Sequence, residues 1–346
     1  MRLEDIDPSD QEVEGKIELT CKSLVLAGSR MTWVDVITSL KFPHRYNYDV
    51  SVVKSSKVGS FSIAVVIPTR NRPDYLEDIL FDIDSQSVPP KIIIVVDSSD
   101  VSFKPQKRYK NLEIIPTNIR SAAVQRNIGL DYLRNLEMKV DFVAFLDDDI
   151  RIDSDYLEKL SQLLLDKAEV IGTSGLALST NEAISRKNRL LNWIGYSGKE
   201  GELTKAAINI PVRNQSEVME VEWLIGCSIW RLSKLETIRF QSDFTGQSIF
   251  EDVIFSVEAS RIGKLFVDPK VKIHHLLAQE NRPRSYLHYS SWVRNRFRLN
   301  RVDPGRISIW RFVLVNLLVA GKLLLKGNVV GTSGIIVAMA SLSLRK

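Results

Sequence analysis

From Phe61 onward the chain alternates short, continuously apolar runs with longer segments whose apolar residues recur at helical spacing. Ile63 to Ile67, Ile92 to Val96, Leu112 to Ile115 and Phe142 to Leu146 are rich in β-branched and aromatic residues, the signature of strands buried on both faces. Between them, Leu76, Ile79, Leu80 and Ile83 predict a helix that Pro89-Pro90 ends, and Ser121 to Leu136 predicts a second. A third is expected from about Ser154 to Lys167. Strands alternating with helices at these intervals imply βαβ units and a parallel, doubly wound α/β sheet. The second half is less regular. Val221 to Trp230 is apolar enough for a strand, Phe250 to Arg261 reads as a helix, and Leu265 to Val267 and Val271 to Ile273 read as two short strands. Before Val58-Gly59-Ser60 the pattern is weak: Ile17 to Ala27 offers strand material and Met31 to Leu40 a short amphipathic helix. The expected division is an extension over 1–58, a main domain over 59–280 and a basic, apolar helical tail over 281–346.

Ligands of open parallel sheets bind beyond the carboxyl ends of the strands. Three strands here end in residues suited to that place: Pro68-Thr69, Asp97 and Asp147-Asp148-Asp149. Three adjacent carboxylates repel one another unless a cation neutralises them, and oxygen donors suit Mg²⁺ or Mn²⁺. The same triplet also fits a loop leading to a helix cap at Asp153 or Ser154. Asp97 is placed to accept hydrogen bonds from a base or ribose, or simply to form a turn in Asp97-Ser98-Ser99-Asp100.

Composition narrows the classes. The 346 residues are 44% hydrophobic and 26% charged, as in a folded globular chain. Two cysteines, Cys21 and Cys227, exclude a disulfide framework and a cysteine zinc site. The acidic start, with Glu4, Asp5 and Asp7, does not resemble a signal peptide, so a cytoplasmic setting is expected. The net charge of +5 is uneven: Arg282 to Lys346 holds twelve Lys or Arg against Asp303 alone, a net of +11 that leaves −6 elsewhere. Mixed with apolar runs, that charge points to the inner face of a membrane rather than to nucleic acid. Ile307 to Leu325 carries Arg311 and Lys322, so it is expected to lie at the interface rather than span it.

Taken together, Ile67-Pro68-Thr69-Arg70-Asn71-Arg72-Pro73, Ile94-Val95-Val96-Asp97-Ser98-Ser99, Arg126-Asn127-Ile128-Gly129 and Phe145-Leu146-Asp147-Asp148-Asp149 resemble, in order and spacing, the family 2 glycosyltransferases of the GT-A fold. The resemblance spans about residues 61–280. It implies a nucleotide pocket lined by Pro68, Thr69, Arg70 and Arg72, with Asp97 on the base and Arg126 and Asn127 near the base and pyrophosphate. It implies further that Asp147 contacts the ribose, with Asp148 beside it, and that Asp149 holds the metal. The family's usual Asp-Asp-Gly-Ser is Asp97-Ser98-Ser99-Asp100 here, which leaves the nucleotide open. Trp223 to Ser228 resembles the family's acceptor-side strand and glycine turn. Phe250-Glu251-Asp252 resembles its Glu-Asp pair, which implies Asp252 as catalytic base with Glu251 as the alternative. Acids also simply favour a helix N-terminus. His274-His275 ends a strand where relatives of this fold place a metal-ligating histidine; a packed or loop histidine is the other reading.

The function implied is inverting transfer of a sugar from a nucleotide-diphosphate donor to a hydroxyl of a glycan or lipid-linked acceptor in cell-surface polysaccharide synthesis. A sugar nucleotidyltransferase would want a glycine-rich loop after the first strand, which Pro68-Thr69-Arg70-Asn71 lacks. A non-catalytic nucleotide- or glycan-binding module of the same fold is the third possibility.

Overall fold

The computed structural model describes residues 61–136, 138–178, 189–244, 248–276 and 285–343. The chain divides into two units, Met1–Val58 and Gly59–Lys346, and every described residue belongs to the second. The expectations for Ile17 to Ala27 and Met31 to Leu40 therefore lie outside the described residues.

The strands are β1 (Ile63–Thr69), β2 (Ile92–Asp97), β3 (Leu112–Pro116), β4 (Phe142–Phe145), β5 (Ile150–Ile152), β6 (Val170–Leu178), β7 (Met219–Val221), β8 (Ser228–Arg231) and β9 (Lys264–His275). The helices are α1 (Pro73–Asp84), α2 (Ala122–Asn135), α3 (Tyr156–Asp166), α4 (Arg189–Trp193), α5 (Glu251–Ala259), α6 (Ser285–Phe297), α7 (Leu299–Val302), α8 (Ile309–Leu325) and α9 (Val329–Ser343). The strands form one sheet in the order β3-β2-β1-β4-β8-β6-β9-β5, with β7 paired to β9. The first four run parallel, as the βαβ pattern requires, but β8 pairs antiparallel with both β4 and β6.

Pleating explains why the parallel strands read as unbroken apolar runs. Ile63, Val65 and Ile67 face α1 and α3, while Ala64 and Val66 face α2 and α5. Pro73 opens α1 at the position where its missing N–H costs nothing, and Leu76, Ile79, Leu80 and Ile83 are its buried stripe. Gly129 lets α2 approach β1: a Cβ there would stand 2.4 Å from Val66 Cγ1.

The structure differs from the sequence reading in several places, the short strand β5 and helix α4 among them. β6 was not foreseen, because Gly172, Thr173, Ser174 and Gly175 dilute its apolar run. The two short strands expected at 265–273 are one strand, β9, kinked where the register shifts opposite Gly175 and Leu176. Gly175 is required there, since a Cβ would meet Val271 O at 2.7 Å. The apolar stretch from Val221 to Trp230 is not one strand but the end of β7, a loop through Gly226, and β8.

Residues 285–343 fold as α6 to α9, and they belong to the same compact unit as the sheet. Arg296 of α6 is fully buried, donating from Nε to Ala207 O at 2.9 Å and from Nη1 to Asn316 Oδ1 of α8 at 2.9 Å. Its guanidinium stacks 3.8 Å from the Trp292 ring centroid. Burial pushes its pKa down to about 9. The aromatic and basic residues of 285–301 thus serve largely to cover the domain. Among the described residues, no helix is long and apolar enough to cross a membrane.

Gly129→Ala should lower stability by about 1–3 kcal/mol through overpacking against Val66, partly offset by the better helix propensity of alanine. Urea unfolding measures it; an unchanged or higher midpoint would contradict the close approach of α2 to β1.

Candidate active site

Parallel pairing brings the ends of β1, β2 and β4 to one edge. Thr69 lies opposite Asp97 in the β1–β2 register, and Leu146 N–H donates to Val66 O at 3.1 Å, so the acidic triplet starts just beyond that edge. There it borders a cleft of about 310 Å³.

The three carboxylates have different fates. Asp148 turns inward and accepts from Thr69 Oγ1 and from Arg72 Nη1, both at 2.8 Å. Burial pushes its carboxyl up to about 6 against the pull of Arg72. Asp149 lies 3.4 Å from Arg72 Nη1 through Oδ2 and 3.7 Å from His275 Nε2 through Oδ1. The antiparallel pair β5–β9 causes this meeting: Ile150 sits opposite His275, and Leu276 N–H donates to Asp149 O at 2.9 Å. Arg151 anchors β5 to α1 by a two-pronged contact with Asp82, at 2.6 and 2.7 Å. One donor atom each from Asp147, Asp149 and His275 lies within 4.8 Å of the others. Two carboxylates and an imidazole form a donor set that suits a divalent ion such as Mn²⁺. His274 does not join them: it is the next residue in the strand, opposite Arg151, and it is exposed.

Arg126 of α2 crosses the cleft floor. Its Nη2 donates to Asp147 Oδ1 at 2.6 Å, its Nη1 contacts Glu251 Oε1, and its guanidinium lies 5.4 Å from the Phe240 ring centroid. Gly226 lets this happen, because a Cβ there would stand 3.0 Å from Arg126 Nη2. Glu251 is thereby buried and ion-paired. Its neighbour Asp252 also lines the cleft, and the hydrogen bond to its carboxylate comes from the N–H of Val253 at 2.8 Å. Burial pushes Asp252 up to about 6, with the N–H of Val253 and the charge of Arg126 opposing. Two adjacent acids thus have different environments, which suits them to different roles.

Pro68, Thr69, Arg70 and Arg72 line the same cleft. Asp97 does not: its carboxylate accepts from the N–H groups of Ser99 and Phe103, both at 2.8 Å, and shapes the loop after β2, while Ser98 faces the cleft. Asn127 is also elsewhere, its amide gripping both backbone groups of Phe240 at 2.7 and 3.0 Å. Cys227 is a buried thiol that burial pushes up, as expected of a packed residue rather than a nucleophile.

Several contributors escaped the sequence reading. Gln125 Nε2 donates to Thr69 O at 3.0 Å and Val96 O at 2.7 Å, tying the ends of β1 and β2 together. Ser121 Oγ donates to Phe244 O at 2.7 Å and lies 3.2 Å from Ser248 Oγ, joining the start of α2 to the loop before α5. In that loop Ser248 and Phe250 have φ of 54° and 76°, a left-handed conformation that costs a non-glycine residue energy and concentrates at functional sites. Asn295 of α6 braces the same loop by donating to Ile249 O at 2.8 Å. Only their closeness to Arg126 and Glu251 in sequence could have flagged Gln125 and Phe250.

Residues 64–216 match the model of glycosyl transferase family 2. Over 127 residues the chain is 27% identical to TuaG of Bacillus subtilis (strain 168), assigned as a glycosyltransferase of teichuronic acid biosynthesis. That match covers 35% of this chain and 48% of TuaG, about half of that relative's length. Among solved structures, GalNAc-T7 with UDP, GalNAc and Mn²⁺ superposes with a TM-score of 0.50 at 14% identity, covering 70% of this chain and 48% of the other. TarS of S. aureus gives a TM-score of 0.43 at 15% identity, covering 76% of this chain and 43% of the other. The sheet order and the superposition show a GT-A-like α/β fold, and residues 64–216, which hold the acidic strand end, are similar to the glycosyl transferase family 2 model.

Proposed function

We propose that this chain is an inverting glycosyltransferase. It would move a sugar from a nucleotide-diphosphate donor to a hydroxyl of a glycan or lipid-linked acceptor in cell-surface polysaccharide synthesis, at the cytoplasmic face of the membrane. The observation that carries the reading is the pairing, in one cleft, of the Asp147–Asp149–His275 cluster with Asp252, a carboxyl that burial pushes up to about 6. TuaG's assignment to teichuronic acid biosynthesis supports the pathway class. GalNAc-T7 was solved with a nucleoside diphosphate, a sugar and Mn²⁺, the ligand class proposed here.

Asp147, Asp149 and His275 would hold a Mn²⁺ or Mg²⁺ ion. Bound there, such an ion offsets the negative charge of the donor diphosphate and of the leaving group. The remaining work falls to the chain. Thr69, Arg70, Arg72 and Ser98 border the space for the nucleotide. Arg126 fixes Asp147 on one side and Glu251 on the other, so Glu251 is spent on positioning. Asp252 takes the proton of the acceptor hydroxyl as its oxygen bonds to the anomeric carbon. The carbon–oxygen bond to the diphosphate breaks with its electron pair leaving on the nucleoside diphosphate, and one displacement inverts the centre.

Asp252→Asn should lower kcat by about 10²–10⁴-fold while donor binding stays within a few-fold. Loss of both would indicate a structural role for Asp252, and unchanged turnover would remove it as the base. A base must be unprotonated, so kcat/KM should be retained above about pH 6 and fall as pH drops through that value, about tenfold per unit. A flat profile from pH 5 to 8 would count against the assignment.

Asp149→Ala should abolish Mn²⁺-dependent thermal stabilisation by the preferred diphosphate in a panel of UDP, GDP, dTDP and CMP. If no nucleotide stabilises the unaltered protein with Mn²⁺ or Mg²⁺ present, the donor class proposed here is wrong.

A further inference from the structure

The outer surface of α8 and α9 is built against the usual rule. A helix at the surface of a water-soluble domain buries one stripe and presents polar residues outward. α8 buries Phe312, Val315, Asn316, Ala320 and Leu323, yet its opposite face exposes Trp310, Val313, Leu317 and Leu325, the last at 90%. α9 packs Gly331 and Gly334 against Ser285, Tyr286 and Tyr289 of α6, so closely that a Cβ at Gly334 would meet Tyr286 O at 2.6 Å. Its free side shows Val329, Val330, Ile336 and Val337.

A third, sequence-distant element extends this surface. Trp193 of α4, 58% exposed, sits against Trp310 with ring centroids 5.0 Å apart and a 47° tilt. Farther along α8, Lys322 Nζ donates to Tyr196 OH at 3.0 Å. On the other flank Thr332 Oγ1 of α9 donates to Ala320 O at 3.2 Å. The three elements therefore lie side by side and hold their apolar residues on an exposed face. Exposed apolar side chains gathered on adjoining elements mark an interaction surface.

The charge decides which occupant fits. Neither α8 nor α9 carries a carboxylate, and no acid follows Asp303 in the chain. The ionisable groups of these two helices and their link are all cationic: Lys322 and Lys326 are exposed, Arg311 borders the neighbouring cleft that Glu200, Glu202 and Glu222 also line, and Arg189 stands exposed at the start of α4 beside Trp193. Paired tryptophans with basic side chains around an apolar face suit the boundary between acyl chains and anionic headgroups. α8 has 17 residues, about 25 Å of helix and short of the roughly 30 Å hydrocarbon core, so it fits along the surface rather than across it.

We infer that the exposed face formed by α8, α9 and Trp193 of α4 docks this chain onto an anionic lipid bilayer, lying in the interface without spanning it. The inference rests on the membrane-side location proposed above, but it does not depend on sugar transfer.

Flotation of the full chain with phosphatidylcholine vesicles, with and without 30% phosphatidylglycerol, tests it directly. Binding is expected to phosphatidylglycerol vesicles, at least tenfold weaker to phosphatidylcholine alone, and weakened by salt. The double variant Leu317→Glu/Leu325→Glu should lose at least tenfold of that binding with an unchanged near-UV spectrum and melting temperature. Lys322→Glu/Lys326→Glu should lose the preference for anionic lipid. An unaltered protein that fails to float overturns the inference, whether it is monomeric or forms a dimer that the leucine variant dissociates; the dimer would mean a second copy covers the face. Vesicle binding that survives both variants overturns it too. Vesicle binding without any turnover of donor would leave this surface standing and remove the transferase reading instead.

Discussion

Arg126 carries a full charge into a place that water hardly reaches, and two carboxylates from distant parts of the chain close upon it. Asp147 comes from the end of β4 and Glu251 from the first turn of α5. A buried guanidinium stripped of its carboxylate partners would leave an uncompensated charge, at a cost of about 3–5 kcal/mol. The strand end and the helix start are thus held in one arrangement, with the cleft between them. Gly226 and the Phe240 ring complete the enclosure, one by leaving room and the other by offering a π face.

That arrangement separates two adjacent acids. Glu251 is occupied with Arg126, while Asp252 is left in the cleft with its pKa raised by burial. The same separation appears in the triplet after β4. Asp148 faces inward to Thr69 and Arg72, whereas Asp147 and Asp149 gather with His275. In both places adjacent carboxylates are drawn to different partners and into different surroundings. The left-handed backbone at Ser248 and Phe250 is the local strain that accompanies this, held by Ser121 on one side and Asn295 on the other.

Asn295 also shows that the C-terminal helices belong to the working unit. α6 reaches the cleft wall through Ile249 O, and Arg296 in the same helix ties α8 to the backbone at Ala206 and Ala207. The apolar outer face of α8 and α9 is therefore connected to the cleft wall through one packed layer. Among the described residues of 285–343, an inner stripe covers the domain while an outer apolar stripe stays exposed.

What the sequence determined by itself was the local pattern. β1, β2 and β4 are buried on both faces and hence legible as apolar runs, and the polar residues at their ends had to share an edge once the strands ran parallel. Asp149 and Asp252 could be singled out through the family resemblance of the motifs around them. The tertiary structure decided everything that depends on pairing between distant segments. β5 against β9 selects His275 and turns His274 outward, since neighbours in a strand face opposite ways. Asn127 was expected in the cleft yet grips Phe240, and Asp97 closes its own loop, because both found backbone partners that no local spacing encodes. Trp193 meets Trp310 for the same reason. A residue's type and period report what its own segment needs, whereas its partners depend on which segments the fold brings alongside.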